Sequence, residues 1–160
     1  MRLVVAAVGR LKAGPERELA ERYRERTSKL TRSIGLHPLD LLEVEESRAR
    51  RPEDRLEQEA AALTRLMPGN CVRIALDAGG QPLTSEAFTQ RLGRWRDSGR
   101  VAACFLIGGA DGLAPGLQQG AELVLAFGSA TWPHQLVRIM LLEQIYRAVT
   151  ILSGHPYHRA

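Results

Sequence analysis

The sequence predicts an α/β fold, a mainly parallel sheet with helices on both faces. Three observations predict it. Short, continuous apolar runs recur along the chain, bounded by Gly, Pro or polar residues; strands buried on both faces read this way. Amphipathic stretches of helical length lie between those runs, and such alternation favours parallel strands joined by crossovers. The 160 residues are 44% hydrophobic and 25% charged, the make-up of one ordinary globular domain over residues 1–160.

The elements follow in order. Leu3–Val8 is the first strand. Pro15–Leu30 is a helix, with Pro15 in the first turn, where its missing N–H costs nothing. Leu39–Val44 is the second strand, and Pro52–Met67 a helix stopped by Pro68-Gly69. Cys71–Leu76 is the third strand. Ser85–Asp97 is a helix capped near Thr84 and Ser85, with Glu86 in its first turn and a stop at Ser98-Gly99. Val101–Ile107 and Leu123–Phe127 complete the strands.

The last helix has Thr131 as N-cap and Pro133 in its first turn. Its apolar residues include Leu136, Val137, Ile139, Met140, Leu141, Leu142, Ile145, Tyr146 and Val149. These exceed one stripe, so the helix needs burial on more than one side. A central helix within its own domain and a helix shared with a second subunit both satisfy that.

The net charge is +4 and the isoelectric point about 9.6, compatible with a polyanionic partner such as RNA. Bases are concentrated early, from Arg2 and Arg10 to Arg48, Arg50 and Arg51, interleaved with acids such as Glu16, Glu18, Glu21 and Glu25. A solvated helix face with i,i+4 pairs reads the same way. Cys71 and Cys104 each lie inside an apolar run and read as buried, inert thiols. No metal-ligand spacing, secretory signal or membrane-length apolar run occurs, so the expectation is a cytoplasmic protein without metal or membrane partner.

Three loops rich in small residues follow three consecutive strands: Asp77–Gly80, Gly108–Gly112 and Gly128–His134. In open α/β sheets ligands bind beyond the carboxyl ends of strands. Loops poor in side chains there let backbone N–H and C=O groups touch a ligand, though glycine also serves any tight turn. None of the three is a G-x-G-x-x-G dinucleotide fingerprint or a P-loop. Ser129 has no nucleophile-elbow motif around it. The C-terminus, Ser153-Gly-His-Pro-Tyr-His-Arg-Ala160, gathers groups that stack on a base (Tyr157), move protons (His155, His158) and grip phosphate (Arg159).

Taken together, "VAAVGRLKAG", "RIALDAGGQPLTSEAF", "FLIGGADGL", "TWPHQLVRIMLLEQIYRA" and "HPYHR" resemble the RlmH family of the SPOUT methyltransferase superfamily, end to end. The resemblance implies a C-terminal trefoil knot and a homodimer with its site at the interface. It implies methyl transfer from S-adenosylmethionine to N3 of a pseudouridine in 23S rRNA of the assembled ribosome. Carried over by position, the cofactor contacts are Leu76, Gly108, Phe127, Gly128, Ser129, Ala130, Thr131 and Trp132. The catalytic candidates are His155, Tyr157, His158, Arg159 and Arg138, with His134 a lesser candidate for proton acceptor. Ala110-Asp111 stands where the family commonly has Pro-Glu, and Trp132 where it has Leu. A non-catalytic ribosome-binding module, and an α/β nucleotide-binding enzyme using another cofactor, are the alternatives.

Overall fold

A computed structural model of the chain describes residues 1–158. Its strands are β1 (Arg2–Val8), β2 (Leu39–Val44), β3 (Cys71–Pro82), β4 (Ala102–Ile107) and β5 (Leu123–Ala126). They form one sheet in the order β2-β1-β4-β3-β5, every pair parallel. β1 and β4 are interior, and Leu3–Val8 and Ala102–Ile107 are buried throughout. Strands covered on both faces have no polar face to present, which is why these two read as unbroken apolar runs.

The main helices are α1 (Pro15–Thr31), α2 (Pro52–Leu66), α3 (Ser85–Asp97), α4 (Pro115–Gln119) and α5 (His134–Leu152). One core layer joins Ala20 of α1, Phe88 and Leu92 of α3, and Leu141, Leu142, Ile145 and Val149 of α5 to one face of the sheet. The opposite face packs on Leu63 of α2 and Leu117 of α4. Helix α5 packs against both α1 and α3, with the Tyr23 and Tyr146 rings 6.0 Å apart. This covers the C-terminal half of α5. Towards its N-terminus Leu136 remains 41% exposed, beside Trp132 at 43%.

Three local features differ from expectation. The Asp77–Gly80 loop lies inside β3: Leu76 and Gln81 both pair with Leu125, so the residues between them bulge from a ladder that then resumes. The apolar run ends at Leu76, so the pattern reads as a strand end although backbone pairing continues. Gly80 permits the close approach, since a Cβ there would lie 2.7 Å from the Val124 carbonyl oxygen. Helix α5 begins at His134 with Pro133 as its cap residue, and no side chain caps it. Helix α4, at five residues, is too short to show a period.

A candidate cofactor cleft at the carboxyl ends of the strands

The three small-residue segments converge. Leu76, Asp77 and Ala78 from β3, Gly108, Gly109 and Gly112 from the turn after β4, and Phe127, Gly128, Ala130, Thr131 and Trp132 after β5 line one open cleft of about 160 Å³. Ile107, Leu125, Ala126, His134 and Val137 complete it. Of the cofactor contacts expected from the sequence, all but Ser129 lie on this wall. Ser129 is exposed at the tip of its loop.

Each wall has its own cause. Gly108 is buried against the far side of its turn: a Cβ there would stand 2.2 Å from the Gly112 carbonyl oxygen and 2.7 Å from Leu113 N. Gly112 closes the turn at φ +82°, donating its N–H to the Gly109 carbonyl. Gly109 is bridged to Gly112, whereas among the described residues no protein acceptor takes the N–H groups of Gly108 or Ala110, or those of Gly128 to Trp132. These are free donors around the cleft. Trp132 donates its indole N–H to the Phe127 carbonyl at 3.1 Å, folding the third loop back over the opening. Asp77 accepts from Gly79 N–H at 2.8 Å and from Gln118 Nε2 at 3.1 Å, so both its oxygens brace the bulge.

The turn after β4 is tied to α2. Asp111 forms a bidentate pair with Arg55, at 2.6 Å to Nε and 3.1 Å to the other guanidinium nitrogen. Hydrogen bonding from Arg55 holds the Asp111 carboxyl below the ordinary aspartate range. Arg55 also donates to the carbonyls of Ala49 and Arg50, so one side chain joins the turn to the β2–α2 loop. The short acid at position 111 is thus a tether for the turn.

Arg138 departs from its expected role. Its side chain is buried, paired with Glu43 and donating to the Gly9 carbonyl at 2.9 Å and the Val8 carbonyl at 3.3 Å. Burial lowers its pKa and the Glu43 charge opposes that. It is a strut between α5 and the end of β1, and no phosphate or substrate anion reaches it here. The sequence pattern hid this, because a cation on a helix ordinarily faces water and nothing local marks one that does not.

The described tail residues do not join the cleft of their own chain. The Tyr157 ring packs 4.7 Å from that of Tyr146, lies under the Arg147 guanidinium at 5.1 Å, and its hydroxyl donates to Glu143 at 3.2 Å. Burial first, then the Glu143 charge, pushes the Tyr157 hydroxyl up to about 12. His158 pairs with Glu86 at 3.0 Å, and His155 is exposed. Glu143 and Arg147 stand roughly 9 and 15 Å along α5 from the cleft residue Val137, at the helical rise per residue. Arg159 lies outside the described residues. His134 does line the cleft, 4.0 Å from Glu46. The two cysteines are buried and unbridged, and burial pushes the Cys104 thiol up to about 12, as expected of inert thiols.

A parallel sheet with a backbone-lined cleft at its carboxyl edge and a C-terminal helix beside it places the chain in a class. The chain belongs to the SPOUT methyltransferases: residues 1–158 match the family described as "Predicted SPOUT methyltransferase". More particularly, it is 60% identical over 160 residues, the whole of both chains, to "Ribosomal RNA large subunit methyltransferase H" of Bradyrhizobium sp. (strain BTAi1 / ATCC BAA-1182). It is also 60% identical over 159 residues, 99% of each chain, to the protein of the same name in Nitrobacter winogradskyi. Among solved structures it is similar to a probable methylase family protein from Haemophilus influenzae Rd KW20, with a TM-score of 0.49 and 9% identity, covering 99% of this chain and 70% of that one.

Proposed function

We propose that this chain is a cytoplasmic enzyme that methylates N3 of a pseudouridine in 23S rRNA of the assembled ribosome, with S-adenosylmethionine as donor. The observation that carries it is the cleft itself: free backbone donors on two loops beside an apolar wall of Leu76, Leu125, Phe127 and Val137. That combination fits the cofactor, whose adenine is a flat ring with polar edges and whose methionine end carries a carboxylate. The residues holding it are Leu76, Gly108 and the Phe127–Trp132 loop. Bound there, it would supply an electrophilic methyl group on a sulfonium, with a neutral thioether as the leaving group.

The chain's own residues bind, orient and accept a proton. N3–H of pseudouridine is a weak acid, and a base within hydrogen-bond reach must take its proton before the nitrogen attacks. His155 and His158 are the bases proposed, with Tyr157 stacking on the nucleobase and Arg159 holding phosphate. These described tail groups lie along α5, away from the cleft of their own chain, so a working site takes the cleft from one subunit and the tail from another. Exposed Trp132 and Leu136, beside the cleft, are the apolar surface a second copy would cover in the homodimer. The trefoil threading of the C-terminal segment belongs to the same proposal; the placement of β5 beside β3 and the return of α5 to the α1 side are compatible with it.

Deleting residues 155–160 tests the reading. Calorimetry should show S-adenosylmethionine affinity within a few-fold of the full chain, while radiolabel transfer to unmethylated ribosomes disappears. Full transfer by the truncated protein ends the tail's role. No heat of binding in either protein ends the cofactor assignment.

A further inference from the structure

Glu59 is a buried acid that the mechanism above does not use. It sits on α2 behind the turn after β4, only 6% exposed. Its Oε1 accepts the Ser47 N–H at 2.9 Å, whereas its Oε2 is buried with no hydrogen-bond partner among the described residues. Oε2 lies against Gly109, a cleft residue: a Cβ on Gly109 would be 3.1 Å from it and 3.0 Å from the Val8 methyl. One turn earlier on α2, the Arg55 guanidinium is engaged by Asp111 and two carbonyls. Arg55 is near enough to feel the Glu59 charge, but none of these hydrogen bonds reaches Glu59. Buried charges are ordinarily paired, because an uncompensated one is costly to remove from water. Here the carboxylate stands behind a wall one glycine thick, and the cleft lies on the other side.

We propose that Glu59 is a specificity-determining residue: its unpartnered carboxylate, acting across Gly109, makes the cleft favour the cationic sulfonium ligand over the neutral thioether that remains after transfer. The inference rests on the cofactor reading given above. A fixed charge there attracts the sulfonium in the loaded state, and the attraction vanishes when the methyl leaves, which favours exchange of product for fresh cofactor. Asp77 also lines the cleft, but its oxygens are satisfied by Gly79 and Gln118, and it is the same in every variant below. The bare Cα of Gly109 has a second consequence: it keeps the wall thin enough for a charge behind it to be felt.

The test is the ratio of the dissociation constants of S-adenosylhomocysteine and S-adenosylmethionine, measured by calorimetry on the full-length protein. Glu59→Gln removes the charge and keeps the shape. Glu59→Met removes both charge and orphan oxygen at similar volume, so a fold intolerant of a buried amide is still testable. The ratio should fall on the order of tenfold in whichever neutral variant melts cooperatively, the size of a unit charge acting through partly shielded surroundings. Glu59→Asp should retain most of the ratio. Equal weakening of both ligands would mean that Glu59 only shapes the turn, and an unchanged ratio would mean that its charge does not reach the cleft; either overturns the proposal. If neither ligand binds the unaltered protein, the cofactor reading fails instead.

Discussion

Gly108→Ala is the sharpest probe of the cleft. The added Cβ would stand 2.2 Å from the Gly112 carbonyl oxygen, 2.3 Å from its carbon and 2.7 Å from Leu113 N. All three are backbone atoms, so no rotamer change relieves the clash and the turn itself must move. The side chain would not enter the cleft; it would pry the turn open. Overpacking of this kind costs about 1–3 kcal/mol, and for a chain of this size each kcal/mol lowers Tm by about 2–4 °C. A loss of roughly 2–12 °C is expected. Displacing the turn also misplaces the free N–H groups of Gly108 and Ala110. Two hydrogen bonds of about 1 kcal/mol each correspond to roughly 30-fold in affinity. Differential scanning fluorimetry and calorimetry with S-adenosylmethionine read the two effects. Gly116→Ala is the control, since nothing lies within 4 Å of its Cβ position. Wild-type Tm and affinity in Gly108→Ala would refute the close approach. Lost affinity at unchanged Tm would mean that the side chain projects into the cleft.

Further outcomes follow from the same contacts. Arg138→Ala takes the cation from Glu43, which keeps only the Leu11 N–H, and removes a donor from two carbonyls; it should cost about 3 kcal/mol in urea unfolding, and a change under 1 kcal/mol would show that Arg138 is not a strut. The raised pKa of Tyr157 means that its neutral form is favoured in the fold. Its contribution to tail docking is therefore complete below the unfolded value of 10.0 and lost as pH rises towards about 12. Absorbance titration should find a tyrosine with that late midpoint, absent in Tyr157→Phe. Trp132 lines the cleft, so S-adenosylmethionine should alter tryptophan emission, and Trp132→Leu should abolish the change while keeping affinity within a few-fold. Exposed Arg10, Lys12, Arg48 and Arg50 crowd the loops after β1 and β2. If they contact rRNA phosphates, Arg48→Ala with Arg50→Ala should lower the salt dependence of ribosome binding by about 1–2 in log–log slope.

Strand and helix positions were legible because they are written in local periodicity. β2 and α3 occupy Leu39–Val44 and Ser85–Asp97 as read from the residues, and the other long elements differ by a residue or a few at their ends, except β3. The three small-residue segments were also legible, since Gly and other small residues after an apolar stretch mark exposed backbone. The role of Arg138 was not, because nothing local distinguishes a cation facing water from one facing Glu43, 95 residues away. Glu59 was hidden for the same reason: its place behind Gly109 is a contact between α2 and a turn about fifty residues later. The continuation of β3 past the Asp77–Gly80 bulge was hidden because pairing is between backbones and leaves no mark on side-chain polarity.

The chain alone therefore determined the α/β alternation, the apolar interior strands and the glycine-rich edges, because each depends on residues within one or two turns of one another. Only the tertiary structure decided which charges are buried, that Glu59 stands behind Gly109, and that Tyr157 and His158 lie along α5 instead of over the cleft of their own chain. Those are outcomes of packing between distant segments, where burial sets the worth of a charge and sequence position does not.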